Sequence, residues 1–155
     1  MTVRGMLTGL VPARPFLRDR HVRLALLAGP LCWLALVALG LPRPPGLPPA
    51  TLLFAGILVY PLLEEIVFRG GLQGALLARP PLARRIAGIS LANVLTSCAF
   101  AAAHLWSQPP IWAAAVIPPS LVFGHLRERF DHILPGFLLH AFYNAGFLIL
   151  FAASA

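Results

Sequence analysis

The chain has 155 residues, of which 59% are hydrophobic and 11% charged, with a mean hydropathy of +0.82. A soluble domain carries about 45–50% apolar and about 25% charged residues, so a water-solvated globule is excluded. The formal net charge of +7 comes from arginines spread along the chain without a basic face. It reads as membrane topology, and nucleic acid is excluded as a partner.

Residues 1–23 form an arginine-rich tail holding Arg4, Arg14, Arg18, Arg20 and Arg23, and residues 24–155 form one membrane domain. A bilayer core about 30 Å thick needs about 20 apolar residues per crossing helix. Leu24–Leu41 is the first such segment, and no small-residue cleavage site follows it, so it is expected to stay as a span rather than leave as a signal peptide. The prolines at 42, 44, 45, 48 and 49 then punctuate the chain.

The second span runs from Ala50 through Leu63 and past Glu64, Glu65 and Arg69. The third covers Ile86–Trp106. After the turn Ser107-Gln108-Pro109-Pro110 comes the fourth, Ile111–Leu126, interrupted by Pro118-Pro119. The fifth is Ile133–Ala155. The expectation is an all-α, polytopic transmembrane helix bundle of about five spans, lying in a bacterial cytoplasmic membrane. Cys32 and Cys98 match neither a metal knuckle nor a redox CxxC and read as small apolar fillers within helices.

Arginine placement orients the bundle. Arg79, Arg84, Arg85, Arg127 and Arg129 fall on the same side as the tail arginines, whereas Arg43 stands alone on the other side and Arg69 lies within a span. The positive-inside rule then puts the N-terminus in the cytoplasm and the C-terminus outside. Trp106 and Trp112 flank the short outer loop, where an aromatic belt is expected.

Against this apolar background a few polar residues need a reason to be there. An intramembrane charge costs about 2.5–3.5 kcal/mol even on the lenient insertion scale. Glu65 and Arg69 are four apart and share a helix face as an ion pair. Glu64 is rotated about 100° from Glu65 and faces elsewhere. His140 and Asn144, also four apart, form one polar edge, and Phe100 lies a turn before His104, under its imidazole.

Hydrolysis of a peptide bond needs an activated water, a proton carrier and donors for the developing oxyanion. Glu64 is the candidate base and His104 the second anchor of the water. His140 and Asn144 are the candidate oxyanion donors, with Glu65 and Arg69 as structural support behind them. Interhelical glue in a non-catalytic scaffold and a proton relay in a transporter are the rival readings of the same residues. A carboxylate and two histidines also resemble a zinc site, but no HExxH occurs, and no metal or other cofactor is expected.

These residues resemble the CPBP family (CaaX-processing and bacteriocin-processing enzymes), the glutamate intramembrane proteases that include the type II CaaX prenyl endopeptidase. The family pattern EExxxR, FxxxH and HxxxN is met by Glu64 to Arg69, Phe100 to His104, and His140 to Asn144, with further agreement at Phe68-Arg69-Gly70, Gly124 and Arg127. The resemblance covers about Tyr60–Asn144. It implies that Glu64 and His104 position the attacking water, that His140 and Asn144 stabilise the oxyanion, and that no metal is required. It also implies a membrane-anchored protein or peptide as substrate, processed near a C-terminus carrying a prenylated or sorting-type signal. The chain is short for the family, with fewer spans than is common.

The two histidines pose a geometric problem. A straight helix puts His104 about 28 Å from Arg85, while His140 is only about 12 Å from His132, so upright helices leave them at different depths. Tilt, or an interfacial start to span three near Ser90 and Asn93, brings them level. His21, His125 and His132 read as interfacial side chains without a catalytic role, Gln73 and Asn93 as helix-packing or cavity-lining polar spots, and Tyr143 as a neighbour of the substrate.

Overall fold

A computed structural model describes residues 15–41 and 47–151. The expectations for Arg4, Arg14, Arg43, the prolines at 42, 44 and 45, and residues 152–155 lie outside the described residues. Among those described, the protein is an α-helical membrane bundle with one two-residue-stranded hairpin. It is an integral membrane protein: three helices are long and apolar enough to cross a bilayer, and shorter apolar ones pack beside them.

Helix α1, Arg20–Ala38, begins where the Asp19 carboxylate accepts a hydrogen bond from the His21 amide at 2.9 Å. Leu24, Leu27, Leu31 and Leu34 recur at helical spacing and are exposed, as lipid-facing side chains should be. Another face buries the small residues Ala25 and Gly29. Small residues let membrane helices approach closely, and here the Tyr143 hydroxyl donates to the Ala25 carbonyl at 2.7 Å. Tyr143 is thereby tied into the packing of α1 against the C-terminal helix. Cys32 and Cys98 are both free and exposed, so they face outward and fill no interior gap.

Helix α2, Ala50–Leu77, has 28 residues. At 1.5 Å per residue it spans about 42 Å, more than the bilayer core, and so it tilts or emerges. It widens to π geometry over Ala55–Val59 and again over Glu65–Gln73. Pro61, Glu65, Arg69 and Gln73, each four residues on from the last, are all buried. Four residues overshoot one α-helical turn by about 40°, and a wider turn reduces that drift. The π segment therefore helps keep Glu65, Arg69 and Gln73 on one inward face while Leu63, Ile66 and Val67 point outward.

A short helix, α3 (Pro80–Ala83), leads into antiparallel strands β1 (Arg85–Ile86) and β2 (Ile89–Ser90). Ala87 and Gly88 between them both have positive φ, 51° and 84°, as a tight two-residue hairpin turn requires. Helix α4 is Leu91–His104, with Ser90 capping it by accepting from the Asn93 amide. The helix of the third apolar segment therefore starts at Leu91 and not at Ile86, because the hairpin takes up the residues before it.

The fourth segment is also revised. It divides at Val116 into α5 (Pro110–Ala115) and α6 (Ile117–Phe130). Pro118 and Pro119 do not interrupt a helix; they occupy the first turn of α6, where the missing N–H groups cost nothing. Arg127 and Arg129 belong to the last turn of α6 and not to a loop, and that helix ends on Asp131 in the left-handed conformation. Helix α7, Leu134–Phe151, packs against α1, α2 and α6.

Buried polar side chains stitch α2, α4 and α6 together. Asn93 donates to the Leu121 carbonyl, and Gly124 is so close to Asn93 that any side chain there would collide with it. Gln73 reaches the Gly124 carbonyl and Glu128, and Glu128 also takes Ser90 and Arg85. Gln73 and Asn93 are helix-packing residues here. The bulk apolar core is small: Val22, Ala25, Phe123, Leu126 and Leu139 join α1, α6 and α7.

Candidate active site

The site forms where α2, α4 and α7 converge. On α7, Gly136, His140 and Asn144 recur every four residues and face α2. Glu65 lies against Gly136, both glutamates lie against His140, and the Gly56 carbonyl accepts from Asn144 Nδ2 at 2.9 Å. Moving forward along α7 thus means moving backward along α2, as antiparallel neighbours must. The wide turns of α2 coincide with this contact; π segments occur often at functional sites.

His140 is held on four sides. Its Nδ1 lies 3.3 Å from Glu65 Oε1, and its Nε2 lies 3.5 Å from Glu64 Oε2. Phe123 stacks on the ring at 4.6 Å between centroids, and Phe100 meets it edge-on at 5.9 Å. An ionised carboxylate only accepts, so Nδ1–H donates to Glu65 and leaves Nε2 turned to Glu64.

His104, the last residue of α4, has its Nδ1 2.8 Å from the Phe100 carbonyl. A carbonyl cannot donate, so the proton sits on Nδ1, and Nε2 of the neutral ring carries a lone pair. His104 and His140 both lie within electrostatic reach of Glu64. The Glu64 side chain is 30% exposed while that of Glu65 is 1% exposed. The adjacent carboxylates therefore have different surroundings: one borders open space and the other is enclosed.

Phe100 ties the histidines together. Its ring lies 4.4 Å from His104 and 5.9 Å from His140 between centroids, and the Arg69 guanidinium sits 5.2 Å from its centre. The two histidines thus share one neighbour. Helix α4 starts at Leu91, beside Ser90 and Asn93, so a distance counted from Arg85 overstates how far along its helix His104 lies.

The pair expected from sequence spacing is present: Arg69 Nε lies 3.6 Å from Glu65 Oε1, with both side chains enclosed. Three neighbours were not anticipated. Ser120 accepts from Arg69 Nη2 at 2.7 Å, Phe123 stacks on His140, and Gly136 makes room for Glu65. Sequence held a signal for the last of these, a glycine one four-residue step before His140. Ser120, Phe123 and Arg127 recur at three- and four-residue spacing on the buried face of α6.

The remaining histidines lie apart from this constellation. His21 and His125 share a hydrogen bond of 2.9 Å with stacked rings, and His132 Nδ1 accepts from the Leu134 amide. Among the described residues, no three His, Cys, Asp or Glu side chains are grouped so as to hold a metal ion.

A family model for Rce1-like proteins, described as type II CAAX prenyl endopeptidase Rce1-like, matches residues 46–146. No curated protein and no solved structure matches the chain.

Proposed function

Since the chain belongs to the Rce1-like, type II CAAX prenyl endopeptidase family, we propose that it is an intramembrane endopeptidase that uses Glu64 to activate water. The substrate class is a membrane-anchored protein or peptide cut near its C-terminus, with a prenylated CaaX-type end as the first candidate and a sorting-type signal as the second. The observation carrying this reading is that His104 and His140 both lie against Phe100 while Glu64 Oε2 stands 3.5 Å from His140 Nε2.

A water between Glu64 and His104 donates one O–H to the carboxylate and the other to His104 Nε2, the nitrogen left free by the Phe100 carbonyl. Glu64 takes a proton as the water oxygen attacks the scissile carbonyl. The oxyanion then forms beside α7. Asn144 Nδ2 has two N–H bonds and gives one to Gly56, so the other remains for the oxyanion. A proton on His140 Nε2 makes that ring an imidazolium flanked by two carboxylates, and Nε2–H is the second donor. The C–N bond breaks as Glu64 returns its proton to the departing amine. Glu65 and Arg69 fix the His140 ring and the local field.

The N-terminus and the arginine-rich loops are assigned to the cytoplasm on the arginine asymmetry, in a bacterial inner membrane. Cleavage of a prenylated CaaX-type peptide by the detergent-purified protein tests the function. Wild type should cut it and Glu64→Gln should bind without cutting. Equal turnover by the two would defeat the assignment.

A further inference from the structure

The Arg69 guanidinium is fully buried, yet among the described residues neither its Nε nor its Nη1 has a hydrogen-bond partner. Its Nε lies 3.6 Å from Glu65 Oε1, which is ion-pair range but too long for a hydrogen bond. Nη2 alone is bonded, to Ser120 Oγ at 2.7 Å. A guanidinium is a rigid plane, so one short bond at its tip, with the Phe100 face beneath it, sets its orientation.

Sequence places that hydroxyl. Pro118 and Pro119 fill the first turn of α6, whose backbone closes with the Ser120 amide donating to the Val116 carbonyl at 3.0 Å. Ser120 is therefore fixed at the start of a helix that does not itself hold a member of the Glu64, His104, His140 and Asn144 set. Its side chain is fully buried, and Phe123, three residues on, stacks on His140.

We propose that Ser120 is a positioning residue of the site: its hydroxyl orients Arg69, and Arg69 orients Glu65 and Phe100, the two groups that hold His140 and His104. Two routes lead from it. One runs through Arg69 and Glu65 to His140 Nδ1, and the other through the Phe100 ring to both imidazoles. The inference rests on the proteolytic reading for its consequence, but the linkage itself is a property of the ring environments.

The test compares wild type, Ser120→Ala and Ser120→Thr, purified in detergent, with a prenylated CaaX-type peptide and with nitrogen-15 spectra of the histidine rings. Outer partners of metal ligands are typically worth about 10–100-fold in activity, and the same range is expected of an outer partner in this site. Ser120→Ala should lose that in kcat with KM within about twofold, and Ser120→Thr, which keeps the hydroxyl, should recover most of it. The His140 ring signals should move in Ser120→Ala and return in Ser120→Thr. If Ser120→Ala does not survive purification, Ser120→Cys keeps the volume with a much weaker acceptor, and the same readouts apply. Unchanged kcat with unchanged ring signals, or a loss that threonine does not restore, would overturn the proposal. A wild type that cleaves nothing overturns the proteolytic reading instead, and the ring signals still decide the role of Ser120.

Discussion

Gly136 lies so close to Glu65 that a methyl group on its Cα would stand 2.9 Å from Glu65 Oε2 and 3.3 Å from the Phe123 carbonyl. The enclosed carboxylate and the helix that carries His140 therefore meet without a side chain between them. Glu65 Oε2 has no hydrogen-bond partner among the described residues, so pushing the carboxylate aside would disturb the Arg69 and His140 contacts of Oε1 without a bond gained at Oε2.

Gly136→Ala is accordingly expected to destabilise the bundle. Alanine gains up to about 1 kcal/mol in helix propensity over glycine, while overpacking a tight interior costs about 1–3 kcal/mol. The expected net effect is a lower melting temperature in detergent together with lost peptide cleavage. A variant as stable as wild type would show that α7 shifts freely, and that the close approach to Glu65 has no energetic role.

The buried Glu65–Arg69 pair predicts non-additive stability. Removing one partner of a buried pair typically costs about 3–5 kcal/mol because the other charge is left uncompensated. Glu65→Gln and Arg69→Met should each melt well below wild type, and the double variant should melt above Arg69→Met alone. Simple addition of the two losses would mean that the 3.6 Å approach carries no coupling.

What the sequence made legible was local. Four-residue spacings gave the Glu65–Arg69 pair, the His104–Phe100 contact and the polar edge of His140 and Asn144, because one helical turn decides each. The lipid-facing composition gave the membrane bundle for the same reason. Ser120, Phe123 and Gly136 were not legible, since their roles depend on which helices become neighbours. The hairpin turn at Ala87-Gly88 and the break at Val116 shifted span boundaries, as short apolar runs do not say where a helix starts. The wide turns of α2 carry no local signature, and Asn144 bonds to a carbonyl inside one of them.

Outside the membrane, Asp19 joins α1 to α6 through two hydrogen bonds from Arg129, at 2.9 and 2.7 Å. The Arg129 hydrogen bond, with the His21 amide and the arginine charge adding to it, holds its carboxyl below the ordinary value of 3.8 against the opposing effect of burial. A carboxyl depressed on folding stabilises above its unfolded value, and that stabilisation is lost as pH falls through the folded one. The melting difference between wild type and Asp19→Asn should thus be full at neutral pH and shrink as pH drops below 3.8. A difference independent of pH would show that the carboxylate charge does not carry it, since asparagine still caps the helix.

Topology is testable without a substrate. Reporter fusions at the two ends should place the N-terminus in the cytoplasm and the C-terminus outside, as the arginine asymmetry requires. Both ends on one side would mean that the α5–α6 segment, broken at Val116, does not cross as a unit.

The roles proposed within the site separate by variant. His104→Ala removes the second anchor of the water, so turnover should collapse as in Glu64→Gln while peptide binding persists. Asn144→Ala removes one oxyanion donor, which typically costs about 10²–10³ in rate. It also unties Gly56, and its loss should therefore appear in both kcat and melting temperature. His104→Ala should spare stability more, since among the described residues the hydrogen bond its ring makes is to its own helix at Phe100. A chelator should leave the rate unchanged, because the proposed base and donors are side chains with no ion among them. Chelator inactivation reversed by zinc would replace the glutamate mechanism with a metal one. An Asn144→Ala enzyme with wild-type kcat would remove that residue from the oxyanion site and leave it as a tie between α7 and α2.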